Sequence, residues 1–110
     1  MAKIGSLVLV GKSKEHYTFQ IYPLDQKFKA LGAVYAITQQ YRNDKGTHTH
    51  HVIYVGVTGD LSVRFESHHK EECFIRHKAN CICVYLEGDE DSRLSIEDDL
   101  IKYYDPDCNG

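Results

Sequence analysis

No uninterrupted apolar run in the chain approaches the roughly 20 residues that a membrane span requires. The N-terminus also lacks a charged segment followed by an apolar one ending in small residues. These absences predict a soluble, cytoplasmic protein without a membrane partner. Repeats, low-complexity tracts and linker-like stretches are missing as well, so residues 1–110 read as one domain. The 4 cysteines and 7 histidines show no paired C-x-x-C or H-x-x-x-H spacing. That argues against a structural zinc site and against a disulfide framework, and reduced thiols are expected. Nor is there an excess of positive charge. The formal charge of −3 weighs against a protein that coats DNA.

What is present suffices for one hydrophobic core. At 110 residues and 42% hydrophobic content, a chain of this size buries roughly 65% of the surface its unfolded form exposes. The charge is unevenly spread: residues 1–85 hold 11 Lys and Arg against 7 Asp and Glu, whereas residues 86–110 hold 2 against 9. A mildly basic body joined to an acidic end can still hold a phosphate backbone.

Residues 7–10 and 16–22 are short β-branched and aromatic runs, with Tyr17, Phe19 and Ile21 on one face, and they read as a hairpin. Residues 24–31 read as a loop or a single helical turn. Residues 33–38 and 51–58 are apolar on both faces and so suit strands covered on two sides. The turn formers Asn43, Asp44 and Gly46 between them favour a long hairpin. After Asp60, a plausible N-cap, Leu61, Arg64, Phe65 and His68 share a helical face, predicting a helix over 61–69. A shorter helix covers 71–77, a third core strand 81–86, and a helix 93–104, capped within 88–92 and stopped by Pro106.

The tripeptide Ala33–Val34–Tyr35 and the later Tyr54–Val55–Gly56 are followed by Arg64 ten residues after Tyr54, His68 four further on, then Glu97 and, after Pro106, Asn109. This ordered set resembles the GIY-YIG nucleases across roughly residues 32–109. Ala33 stands where the family has its first glycine, although Gly32 precedes it. Val55 replaces isoleucine, and Val57 occupies a place where some members carry lysine. The resemblance implies an α+β fold: a small antiparallel β-sheet of three central strands flanked by helices. Residues 1–31 would add an N-terminal hairpin to a nuclease-like core over 32–110.

By the same resemblance, Tyr35, Tyr54, Arg64, His68, Glu97 and Asn109 form the site. It would hold one divalent ion, Mg²⁺ or Mn²⁺, and act on nucleic acid, DNA first among the candidates, with room for a protein partner that supplies specificity. Tyr35 would take a proton from the attacking water, with Tyr54 and His68 orienting it or sharing the proton, and the division of roles among the three stays open. A free phenol ionises near pH 10, so this proton transfer needs cations close by. Asn109 would tie the last loop to the site.

The residues themselves bear on this reading. On a helical wheel the apolar arc of 93–104 holds Leu94, Ile96, Leu100, Ile101, Tyr103 and Tyr104, and Glu97 falls inside it, whereas Ser95, Asp98, Asp99 and Lys102 lie opposite. A carboxylate facing the protein body needs a compensating charge. Two candidates stand: a bound cation, or an ion pair with Arg64. A lone carboxylate suits Mg²⁺, which keeps several waters and takes oxygens from a phosphate. Arg64 and His68, four residues apart on one helix, can face the same patch, and a guanidinium suits bidentate contact with phosphate. Other readings are a snorkelling surface arginine and a packed histidine. The histidines at 48, 50 and 51 could instead become cationic at mildly acidic pH beside a phosphate site. The alternative to an enzyme is a catalytically inactive module that binds nucleic acid or a protein partner, favoured by the acidic tail and by the small surface available for reading bases.

Contacts to phosphate position a protein without specifying sequence. Affinity for mixed-sequence duplex, followed by fluorescence anisotropy, should therefore fall steeply between about 50 and 200 mM salt. Salt-insensitive binding would contradict a phosphate-led footprint.

Overall fold

The computed structural model describes residues 3–42, 44–64 and 70–109, with the side chains of residues 63 and 64 left out of the description. The element order is β1 (Gly5–Val10), β2 (His16–Pro23), β3 (Ala33–Arg42), β4 (His48–Thr58), α1 (Leu61–Arg64), α2 (Glu71–Arg76), β5 (Cys81–Leu86) and α3 (Glu90–Tyr104). The strands form one 5-stranded sheet in the order β1-β2-β5-β3-β4, with every neighbouring pair antiparallel.

This corrects the expected architecture. A three-stranded sheet flanked by helices, with a hairpin added to it, does not form; the protein is mostly β, built on a single curled five-stranded sheet. The cause lies in β5. Cys81, Ile82, Cys83 and Val84 are all buried, so this strand is covered on both faces and its two edges take partners as well. Residues Gln20–Pro23 of β2 pair with one edge and Ala33–Thr38 of β3 with the other. The N-terminal hairpin is thereby part of the central sheet.

The predicted hairpin between β3 and β4 is longer than the apolar runs suggest. Its ladder continues through Gln39↔His51 to Arg42↔His48, where polar side chains stand partly exposed on a two-stranded arm. Register shifts between Ile37 and Thr38: Ile37 pairs with Tyr54, Thr38 with Val52, and Ile53 is the additional residue. Such a bulge re-aims side chains. Here it sends the consecutive Ile53 and Tyr54 into one core cluster, while Val52 and Val55 join the other.

The two faces of the sheet carry two cores. On one, Leu9, Phe19, Val34, Ala36 and Val55 pack beneath Ile96 and Leu100 of α3. On the other, Ala33, Tyr35, Ile37, Tyr54 and Ile82 pack with Leu61 of α1, Phe74 of α2 and Cys108. Helix α3 begins three residues before its predicted start because Asp89, in an extended conformation, accepts a hydrogen bond from the Ser92 amide at 2.9 Å. Its apolar arc is narrower than the wheel implies. Ile96 and Leu100 are buried, whereas Leu94 and Tyr103 are 49% and 55% exposed, because only a strip along the helix meets the sheet.

Asp99, expected to face solvent, instead docks on the β1–β2 turn. Its carboxylate accepts from the Ser13 amide at 2.8 Å, the Ser13 hydroxyl at 2.7 Å and the Tyr17 hydroxyl at 2.9 Å. Gly11 makes room for it, since a Cβ there would collide with the Asp99 carboxylate. At the far end of α3, Asp105 adopts the left-handed conformation with φ 46° and donates its amide to Ile101 O at 2.9 Å. The chain then turns around the outer edge of β4, where the Cys108 amide donates to Ile53 O at 2.8 Å.

The thiols also depart from expectation. Cys73 of α2 and Cys108 form a disulfide, while Cys81 and Cys83 are free and buried. The partners are brought together by the turn at Asp105 and the docking of α2, neither of which is visible in cysteine spacing. Among the described residues no helix is long and apolar enough to cross a membrane.

Burial, with the hydrogen bond to Asp99 second, pushes the Tyr17 phenol up to about 12. A phenol in the unfolded chain ionises near 10, so the folded state holds this proton to higher pH. The resulting stabilisation is complete below pH ~10 and lost as pH rises through about 12. Thermal melts across that window should show a steeper alkaline decline for the wild type than for Tyr17→Phe. Equal slopes would contradict the Tyr17–Asp99 dock.

Candidate functional site

Tyr35 is the pivot of the second face. It is fully buried, pairs with Gly56 on β4 and with Val84 on β5, and its ring centroid lies 6.0 Å from that of Tyr54. The bulge at Ile53 gives Tyr54 this direction. Tyr54 in turn contacts Phe74 of α2 at 5.4 Å between centroids. Gly56 permits the pairing. A Cβ at that position would sit 2.6 Å from the Tyr35 hydroxyl oxygen and 2.8 Å from a ring carbon of Tyr54, closer than real Cβ contacts. The glycine of Tyr54–Val55–Gly56 is therefore required by the two tyrosines it lies between.

Asn109 is held firmly. Its Oδ1 accepts from the Val55 amide at 2.8 Å and its Nδ2 donates to Val55 O at 2.9 Å, so the side chain pairs with the backbone of the residue after Tyr54. Asn109 accordingly fixes β4 beside the tyrosines.

Three other predicted residues stand differently. Arg64 is the last residue of α1, and that helix packs on the tyrosine face through Leu61, which shares the core cluster of Tyr35; the Arg64 side chain lies outside the described set. His68, with Phe65 and the remainder of the helix expected over 61–69, also lies outside the described residues. Glu97 is half-buried on α3, between Ile96 and Asp98. The residues that anchor α3, Ile96 and Leu100, pack on the face opposite the tyrosines. Tyr35, Tyr54 and Asn109 thus come together, with α1 on the same face, whereas Glu97 belongs to the helix behind the sheet.

Sequence reasoning overlooked Lys27 and Lys29. Phe28 between them packs edge-on against Tyr22 with centroids 5.2 Å apart. The loop this anchors borders a cavity of about 520 Å³, lined among others by Tyr22, Lys27, Lys29, Leu61 and Val84. Leu61 and Val84 also belong to the core cluster of Tyr35, so the cavity adjoins the tyrosine pair. The signal was present as basic residues flanking an aromatic. Arg93 was overlooked too: it donates to Glu87 O at 2.9 Å and lies against Gly32, at the start of β3.

His50 does not join a cationic loop tip. It stands within β4, its Nδ1 2.8 Å from the hydroxyl of the fully buried Thr38, and burial lowers its pKa, with His48 adding to the effect.

Comparison with protein-family models, with curated proteins and with solved structures finds no match. The resemblance to GIY-YIG nucleases accordingly rests on the residues of this chain alone.

Tyr35 is enclosed, so its ring cannot swing away from an added methyl group at position 56. Gly56→Ala should destabilise the fold by about 1–3 kcal/mol, the usual range for overpacking, measured by urea unfolding. A neutral outcome would show that the tyrosines are not packed against this glycine.

Proposed function

We propose that the chain is a metal-dependent endonuclease that hydrolyses nucleic-acid phosphodiesters through a GIY-YIG type of site. One observation carries the reading: Tyr35 and Tyr54 lie 6.0 Å apart across Gly56, and Asn109 is hydrogen-bonded to the adjoining Val55. In this reading the water oxygen forms the new bond to phosphorus, the bond to the leaving oxygen breaks, and the water's proton passes to the oxygen of a tyrosine phenolate, whose own proton has left to solvent beforehand. Tyr35 accepts it, with Tyr54 and His68 orienting the water. The Arg64 guanidinium contacts two phosphate oxygens, where it stabilises the charge that grows in the transition state. Lys27 and Lys29 serve flanking phosphates at the cavity rim, and Asn109 keeps β4 in place.

The donor set can be tested against the expected ion. Glu97 is a single, half-buried carboxylate, which fits Mg²⁺ or Mn²⁺, cations that fill most of their coordination with water and phosphate oxygens. Glu97 would hold the ion on α3, whose anchors Ile96 and Leu100 pack on the face of the sheet opposite the tyrosines, and an ion bound there would supply positive charge to a phosphate that reaches that side. A cytoplasmic location, where nucleic acid is at hand, belongs to the same proposal, with DNA as the first substrate to examine.

A second reading is favoured by the complete burial of Tyr35: a non-catalytic module that binds nucleic acid or a protein partner. One comparison separates the two. Wild type and Glu97→Gln are incubated with single-stranded, duplex and flap DNA and RNA in Mg²⁺ or Mn²⁺. The enzyme reading expects metal-dependent cleavage that Glu97→Gln abolishes, with binding retained and metal-free stability unchanged or raised. If the wild type cleaves nothing, the module reading replaces it; if the variant cleaves equally well, Glu97 is not the residue that holds the ion.

A further inference from the structure

We propose that Cys73, His77 and Cys108 form a redox-gated zinc site where α2 meets the C-terminal segment, separate from the carboxylate proposed for Mg²⁺ or Mn²⁺. The ligand atoms of these three residues all lie within 4.8 Å of one another. Cys73 and His77 sit four residues apart at the C-terminal end of α2, and Cys108 is delivered by the segment that turns at Asp105 and bonds to β4. In sequence Cys73 and His77 are only a helical i, i+4 pair, too few ligands for a site. The fold supplies the third ligand.

The donors are soft, and their surroundings match what zinc sites use. Two thiolates and an imidazole select Zn²⁺ over Mg²⁺, and three protein ligands leave a fourth position for water or another donor. The His77 ring is already oriented: its Nδ1 lies 3.1 Å from Asp107 Oδ2, which also lies 3.0 Å from His51 Nε2. With the metal on Nε2, Asp107 on Nδ1 would give the arrangement that fixes a ligating histidine and raises its basicity.

The gate is the disulfide between Cys73 and Cys108, whose sulfurs carry no thiolate charge to offer. A dithiol reductant transfers two electrons to the pair; the S–S bond breaks, two cysteine thiols form, and the reductant leaves as its own disulfide. Binding of Zn²⁺ then displaces the two thiol protons to solvent. Oxidised and reduced-metallated forms both hold α2 to the segment that carries Asn109. The reduced, metal-free form lacks this tie.

The test uses the full-length, untagged chain, reduced with a dithiol, freed of it without air and titrated with Co²⁺ and then Zn²⁺, beside chain kept oxidised. Only the reduced chain should take up one equivalent, with the near-ultraviolet thiolate-to-cobalt band and tetrahedral visible bands, both bleached by Zn²⁺. Cys73→Ser and Cys108→Ser should lose the bands, whereas Cys81→Ala, altered at a buried free thiol, should keep them. His77→Ala retains the disulfide, so its fold is checked in the oxidised form; after reduction its Zn²⁺ affinity should drop at least ~10-fold. Asp107→Ala should weaken Zn²⁺ by about 10–100-fold. Uptake without the sulfur band, equal uptake by oxidised chain, or unchanged affinity in Cys73→Ser or His77→Ala would overturn the proposal.

Discussion

Strand β5 is the constraint on which the remaining architecture depends. Buried on both faces and paired on both edges, it joins the N-terminal hairpin to the β3–β4 arm. A single polar substitution at Ile82 or Cys83 would place an unsatisfied group inside one of the two cores. Because β2 and β3 flank β5, with Pro23 beside Cys81 and Ala33 beside Leu86 at its opposite ends, the connection from Pro23 to Ala33 must run the length of β5 over a face of the sheet. That crossing brings Phe28 and its two lysines to the rim of the cavity next to the tyrosine pair. The basic part of the candidate site is thus a consequence of where β5 inserts.

Much of the local structure was legible because side-chain periodicity records which face is buried. The alternation of Tyr17, Phe19 and Ile21 marked β2, and the doubly apolar runs marked β3, β4 and β5. Periodicity says nothing about which strand lies beside which edge, since backbone hydrogen bonds leave no trace in the order of side chains. The β2–β5 pairing was for that reason invisible, and with it the five-stranded sheet. The polar arms beyond Thr38 and before Val52 were missed for a related cause: a ladder exposed to water needs no apolar residues.

The candidate site divides along the same line. Tyr35, Tyr54 and Asn109 were singled out by their resemblance to a family motif, and the structure adds the steric reason for Gly56 and the hydrogen bonds that secure Asn109. Asp99 shows the opposite case. A wheel assigns it to solvent, yet the β1–β2 hairpin from the other end of the chain supplies three donors to it, two from Ser13 in the turn and one from Tyr17 of β2. The disulfide is also a product of tertiary path, since Cys73 and Cys108 are 35 residues apart.

The C-terminal segment has a consequence for how the protein meets other chains. An edge strand offers unpaired amides and carbonyls on which a foreign strand can grow, and β4 is such an edge. The carbonyl of Ile53 and both backbone groups of Val55 are already occupied by Cys108 and Asn109. The last residues of the chain act as a built-in stopper, closing that margin of the sheet to strand addition along its central stretch.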